Sequence, residues 1–209
     1  MIHNYEKNGQ LIYNESFATI RSESNLEHFS VEEEVVAVRM IHACGMIELA
    51  KSIFFYSNMA ILAREALESG APILCDTKMV SEGITRSRLP QNNEIICTLN
   101  EPSVPKLAAE IGNTRSAAAV ELWKNKIKGG VVAIGNAPTA LFHLLNMLDK
   151  GLIDRPAAII GCPVGFVGAK ESKVALSKTV SVPSLITKGR LGGSAITVAA
   201  INALASRKE

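Results

Sequence analysis

The chain has 209 residues, 47% of them hydrophobic and 20% charged, with a formal net charge of +2. That is enough chain for one domain that buries its own core without help from disulfides or a metal. A charge so close to zero argues against a nucleic-acid or membrane-surface partner held by bulk electrostatics.

The opening segment MIHNYEKNGQ is polar, so no signal peptide is expected, and no apolar run reaches the roughly 18 residues of a membrane span. The expectation is a single domain over residues 1–209, working in the cytoplasm. Cys44, Cys75, Cys97 and Cys162 form no C-x-x-C pair and sit among apolar residues. They are read as reduced buried thiols, with no metal site.

In chain order, the first third reads as helix. ESFATIRSESNL (15–26) carries Phe17, Ile20 and Ser24 at helical spacing. Ser30 and Glu33 form an S-x-x-E capping box, and Glu32 to Glu34 suit the positive end of a helix dipole. The helix they open is expected to stop at Gly45. NMAILAREALESG (58–70) is a second amphipathic helix closing on Gly70.

From residue 71 short apolar runs alternate with helical segments. The runs are PILC (72–75), EIIC (94–97), GVVAIG (130–135), AAIIG (157–161) and VPSLIT (182–187). AAAVELWKNK, PTALFHLLNMLDKG and ITVAAINALA lie between or after them. Continuous apolar strands separated by helices predict a parallel sheet covered on both faces. The fold class expected is α/β, doubly wound, with a mainly parallel sheet of about five strands and an N-terminal helical extension.

Ligands of such folds bind beyond the carboxyl ends of the strands. The turns there are DTKMVSEGITR (76–86), IGNTRSA (111–117), GNAPTALF (135–142), GCPVGFVGAKESK (161–173) and TKGRLGGSAI (187–196). They offer backbone N–H groups at helix starts, together with Lys78, Arg86, Arg115, Lys170, Lys188 and Arg190. A crevice lined in this way suits a ligand with several negative groups around its edge. Nucleotide motifs are missing: GFVGAKES lacks the phosphate-loop spacing, and KGRLGGS is not G-x-G-x-x-G.

His42 is the residue with proton chemistry. Val31, Val35, Val38 and His42 fall at i, i+4, i+7 and i+11, which predicts one apolar stripe with the imidazole near the helix end. Position alone leaves two readings, a core histidine held by a backbone carbonyl or a proton donor and acceptor facing a ligand. No serine–histidine–aspartate or cysteine–histidine set accompanies it. His143 reads as a packing residue. Asp76 and Glu82 are the carboxylates of the first crevice turn, without support for a paired-carboxylate mechanism.

Taken in order, SFATIR (16–21), RMIHACGM (39–46), DTKMVSEGITR (76–86), GNTRSA (112–117), IGNAPTALF (134–142), GCPVGFVGAKESK (161–173) and KGRLGGS (188–194) resemble the precorrin-8X methylmutase family, also called cobalt-precorrin-8 methylmutase, of cobalamin biosynthesis. The likeness runs from about residue 10 to the C-terminus. It implies a cofactor-independent isomerase that moves a methyl group from ring carbon 11 to ring carbon 12 of a corrin precursor by a [1,5]-sigmatropic shift. The product is hydrogenobyrinic acid, or cobyrinic acid when cobalt is present. On this resemblance His42 is the proton donor and acceptor and Ser16 contacts the substrate. Further substrate-binding positions expected in these blocks are Arg21, Thr77, Lys78, Met79, Thr85, Arg86, Arg115, Asn136, Lys188, Arg190, Gly192 and Gly193. The resemblance also implies a homodimer with substrate near the subunit interface, and no metal or cofactor of the protein's own. The competing reading is a corrinoid carrier or scaffold that uses the same crevice without chemistry.

Overall fold

The structure is a computed structural model that describes residues 3–206. Helix α1 (Gly9–Glu23) starts ahead of the predicted residue 15, because Asn8 caps it by accepting the N–H groups of Gln10 and Leu11. Helix α2 (Val31–Cys44) has the predicted capping box, with Ser30 and Glu33 bonded to each other's backbone. It ends where expected: Gly45 takes the left-handed conformation at φ 67° and donates its N–H to Ile41.

A 3-10 turn (Ile47–Ser52) leads into β1 (Ile53–Tyr56), followed by α3 (Met59–Glu68). Each of the five predicted apolar runs contains a strand. These are β2 (Ile73–Cys75), β3 (Ile95–Ile96), β4 (Val131–Ile134), β5 (Ala158–Gly161) and β6 (Ser184–Thr187). Between and after them lie α4 (Lys78–Gly83), α5 (Val104–Glu110), α6 (Arg115–Glu121), α7 (Pro138–Asp149), α8 (Ala169–Lys178) and α9 (Ser194–Ala205). The segment expected as helix over AAAVELWKNK is only partly one, since α6 stops at Glu121. Beyond it Trp123 turns inward, and its indole N–H donates to Thr98 Oγ1 at 3.0 Å.

The sheet has six strands among the described residues, in the order β1-β6-β5-β4-β2-β3. The five predicted strands are mutually parallel, whereas β1 joins the edge antiparallel to β6 with Ile53 opposite Thr187. The expected count of about five omitted β1. IFFY is only four residues long and apolar or aromatic throughout, so no alternation marks it, and beyond Ile53 its side chains are half-buried.

Successive residues of the parallel strands point to opposite faces. Ile73, Cys75, Val131, Ala133, Ala158, Ile160 and Leu185 lie in one core with the buried sides of α3 and α9, over which α2 packs. Leu74, Val132, Ile134, Ile159 and Ile186 pack against α7, Trp123 and Leu176 of α8. The result is the predicted doubly wound sandwich, with α1 lying outside α2. Strand order reverses between β2 and β4, so the crevice of this fold opens at their carboxyl ends.

Candidate active site

His42 sits in the last turn of α2 and is exposed. Its ring lies 5.6 Å from that of Tyr13 and 5.2 Å, edge-on, from that of Phe17, both on α1. The predicted apolar stripe is therefore corrected. Val31 is 80% exposed, and the buried arc of α2 is formed by Val36, Ala37, Val38, Met40 and Ile41. The i, i+4, i+7, i+11 spacing does align Val31, Val35, Val38 and His42. However, α2 is covered by α9 and α3, which themselves lie on the sheet, and that line runs along the border of the covered arc. His42 is thus neither a core histidine nor fully in solvent; it is an imidazole flanked by aromatic rings at a surface depression.

Three hollows meet around this end of α2. One, of about 500 Å³, lies between α1 and α2 and is lined by Ile12, Ser16, Thr19, Ile20, Ile41, His42 and Ile47, with Glu15 and Glu23 also on its wall. A second, of about 400 Å³, lies on the other side of the ring, between Tyr13, Arg39, Ala43, Met79 and the α9 residues Ser194, Ala195, Val198 and Asn202. A third, of about 320 Å³, is almost wholly apolar, lined by Cys44, Met46, Leu49, Val164, Phe166, Leu191 and Ile196, with Arg190 at its edge.

Their chemistry differs. The carboxylates of the first oppose an anionic group, so it suits apolar or hydroxyl-bearing parts of a ligand. The second has the Arg39 guanidinium and the start of α9, which no side chain caps, so it suits an anion.

The switch point itself is filled from within. Asp76, 2% exposed at the end of β2, accepts N–H bonds from Gly135 (3.0 Å), Asn136 (2.8 Å) and Ala137 (2.8 Å) in the turn after β4. Burial pushes its carboxyl up from the usual range, and the three N–H bonds pull it back. These amides were expected to serve a ligand; they serve the protein's own carboxylate. Thr77 and Thr114 likewise cap α4 and α6 by accepting the N–H groups of Val80 and Ala117. The anion capacity of the crevice therefore rests on side chains and on α9, less on the helix starts of α4, α6 and α7. Both Asp76 oxygens are engaged inside the protein, which leaves a paired-carboxylate mechanism without support.

The predicted positions fall into groups. Ser16 and Met79 share the hollows of His42. Arg190 and Gly192 line the third. Gly192 lies so close to Cys162 that a Cβ would collide with the Cys162 carbonyl oxygen, while Gly193 donates its N–H to that oxygen at 2.9 Å. Lys188 is exposed on the same loop, its ammonium 3.5 Å from the Phe54 ring centre.

Lys78, Asn136 and Arg115 are exposed in turns of the same sheet end, whereas Thr77 is buried as a cap. Arg115 reaches Leu99 O and Asn100 Oδ1 at 3.4 Å. Thr85 and Arg86 lie beside the far part of α9, where Asn202 Oδ1 accepts the Thr85 N–H. Arg21 is drawn away from His42: it pairs with Glu34 at 2.8 Å and borders a separate polar depression. Tyr13, Phe17 and Arg39 were missed. Their signal was present, since Tyr13, Phe17 and Ile20 recur at helical spacing, but one helix's period does not say what lies across from it.

Among the described residues no three His, Cys, Asp or Glu side chains gather as metal ligands would.

Known proteins resemble the chain along nearly its whole length. The family model for precorrin-8X methylmutase matches residues 11–207. A precorrin-8X methylmutase from Sinorhizobium sp is 58% identical over 204 residues, 97% of each chain. A cobalt-precorrin-8 methylmutase from Methanocaldococcus jannaschii is 36% identical over 204 residues, 95% of this chain and 93% of that protein. The crystal structure of precorrin-8x methyl mutase from Thermus thermophilus superposes with a TM-score of 0.85 at 38% identity, covering 94% of both chains. With a matching sequence, a matching fold and one exposed histidine among convergent hollows, this chain belongs to the precorrin-8X methylmutase family.

Proposed function

We propose that the protein is an isomerase that moves a methyl group from ring carbon 11 to ring carbon 12 of precorrin-8X, giving hydrogenobyrinic acid, with the whole chain acting as one methylmutase domain. The observation that carries this reading is the place of His42, an exposed imidazole at the meeting of hollows that suit both an apolar disc and its acidic rim. A sigmatropic shift needs a fixed macrocycle and control of one proton. The apolar walls fix the disc, and Arg39, Lys188 and Arg190 attract the carboxylate arms. Immobilising the macrocycle removes part of the entropic barrier. His42 gives a proton to the conjugated system and takes it back, a role worth roughly 10²- to 10⁴-fold in rate. Ser16, in the same hollow, has a hydroxyl for a substrate polar group. Its Oγ donates to Ile12 O at 2.7 Å and keeps its lone pairs for a ligand.

The higher identity to the relative named for precorrin-8X, 58% against 36% for the one named for its cobalt form, favours the metal-free substrate. Leu11, Ile12 and Tyr13, at successive positions around α1, are 51%, 44% and 47% exposed and leave apolar surface next to the His42 hollows, which supports a homodimer with substrate near the interface. The expected place of work is the cytoplasm; among the described residues no helix is long and apolar enough to cross a membrane.

The test is to mix the purified protein, separately, with precorrin-8X and cobalt-precorrin-8 and follow the absorption spectrum. Conversion of the first, and its loss in His42→Ala with corrinoid binding retained, supports the assignment. A bound but unchanged chromophore with the unaltered protein identifies a carrier instead.

A further inference from the structure

Lys173, on α8, is 1% exposed, although lysine is among the side chains least often buried. Its ammonium donates to the carbonyl oxygen of Leu191. Thr187 Oγ1, at the end of β6, donates to the same oxygen at 2.8 Å. Two donors thus converge from inside on the middle of the 188–193 loop. The next residues are pinned as well, by the Gly193 N–H on Cys162 O and by the close approach of Gly192 to that oxygen. A loop of three glycines and two long basic residues has little shape of its own, so these buried contacts decide where Lys188 and Arg190 project.

We propose that Lys173 is a positioning residue for substrate binding: from behind the loop it holds residues 188–193 in the form that presents Lys188 and Arg190 to the carboxylates of the ligand. The proposal rests on the methylmutase reading for the identity of that ligand. Lys173 touches no substrate; it acts through the Leu191 carbonyl, and its charge adds to the positive potential of the loop in a weakly screened interior.

Burial lowers the Lys173 pKa from 10.5 to about 8, opposed by Cys162, whose own thiol burial pushes up to about 11. Other charged or titratable groups stand on the loop it holds (Lys188, Arg190), on its own helix (Lys170, Glu171, Lys178) and on α7, which packs against that helix (His143, Asp149). As the pH rises through about 8, Lys173 becomes neutral, its bond to Leu191 loses the charge-assisted part, and the loop loosens. The effect of this group on stability runs the other way. The unfolded chain binds more protons between the two pKa values, so the Lys173 contribution to stability increases with pH there. A loss of substrate affinity in that window is then not a symptom of unfolding.

The experiment is steady-state kinetics with precorrin-8X from about pH 7 to about pH 9.5, for the unaltered protein, Lys173→Met and Thr187→Val. The expected result is a KM that rises with pH in the unaltered protein, and a KM raised about tenfold and flat with pH in Lys173→Met, with kcat within about threefold. Thr187→Val is expected to raise KM severalfold while keeping the pH dependence, and it tests the Leu191 anchor if Lys173→Met does not fold. An unchanged KM in Thr187→Val together with a pH-independent KM in the unaltered protein overturns the proposal, as does a pH rise that persists in Lys173→Met. No turnover by the unaltered protein at any pH overturns the methylmutase reading instead.

Discussion

Replacing Asp76 tests how the crevice is built. Its carboxylate receives three amide N–H groups from the turn after β4; the bonds from Gly135 and Ala137 are buried and the one from Asn136 partly so. Asp76→Ala strands these donors. An orphaned buried donor costs about 1–3 kcal/mol, and the carboxylate's own desolvation cost is recovered on its removal, so a net loss of about 3–5 kcal/mol is expected. Asp76→Asn is milder. Its oxygen can still accept from Asn136 and Ala137, which share Oδ2, but its amide nitrogen then faces the Gly135 N–H donor to donor. A loss of about 2–3 kcal/mol follows. Both are large beside a total stability of about 5–15 kcal/mol. Urea unfolding with a common m-value reads the difference. A second arm uses inorganic sulfate. The space left in Asp76→Ala is ringed by three N–H groups at the start of α7, so sulfate should restore part of the lost stability in this variant and not in the unaltered protein. A loss below about 1 kcal/mol in Asp76→Ala, without any sulfate effect, would refute the reasoning.

Further expectations concern the neighbours of His42 and the loop. Phe17, 2% exposed, supports His42, Tyr13 and the Arg39 guanidinium 5.4 Å from its ring centre. Phe17→Ala should therefore cost about 3–5 kcal/mol in urea unfolding, whereas His42→Ala, on the exposed side of the same cluster, should leave the midpoint nearly unchanged. Gly192→Ala places a methyl group against the Cys162 carbonyl at a φ of 148°. The loop must move, and KM for the corrinoid should rise at least about tenfold in steady-state kinetics. Ser30→Ala breaks the capping box and should lower stability by about 1 kcal/mol with activity intact; equal losses of both would contradict a purely local role.

The legible parts of this fold were those set by local chemistry. Ser30, Glu33 and Gly45 bound α2 because capping is decided within a few residues, and the five parallel strands were visible because burial on both faces makes them continuously apolar. β1 was not, although IFFY is unbroken apolar and aromatic sequence: it stands alone between helical segments, and β6, which it pairs with, is remote in the chain. The phase of His42 was misjudged for a related reason. Helical spacing says which residues align, but only the partners of α2, namely α9, α3 and α1, determine which line is covered. Ser16 and Met79 came from motif positions and do meet His42; Arg21 came from the same source and is taken by Glu34. Asp76 was read as a crevice carboxylate, and nothing in DTK signals that the turn after β4 would supply three amides to it.

The overlooked strand β1 ties the two ends of the site together. From Gly45, at the end of the His42 helix, the 3-10 turn Ile47–Ser52 passes straight into β1, whose pairing with β6 ends on the bond from the Lys188 N–H to Ser52 O at 2.7 Å. The His42 helix and the basic loop are therefore mounted on one truss, far apart in sequence yet joined through β1. A displacement of β1 would therefore be felt at both places, whereas α1, packed on α2 from outside, lies apart from this connection.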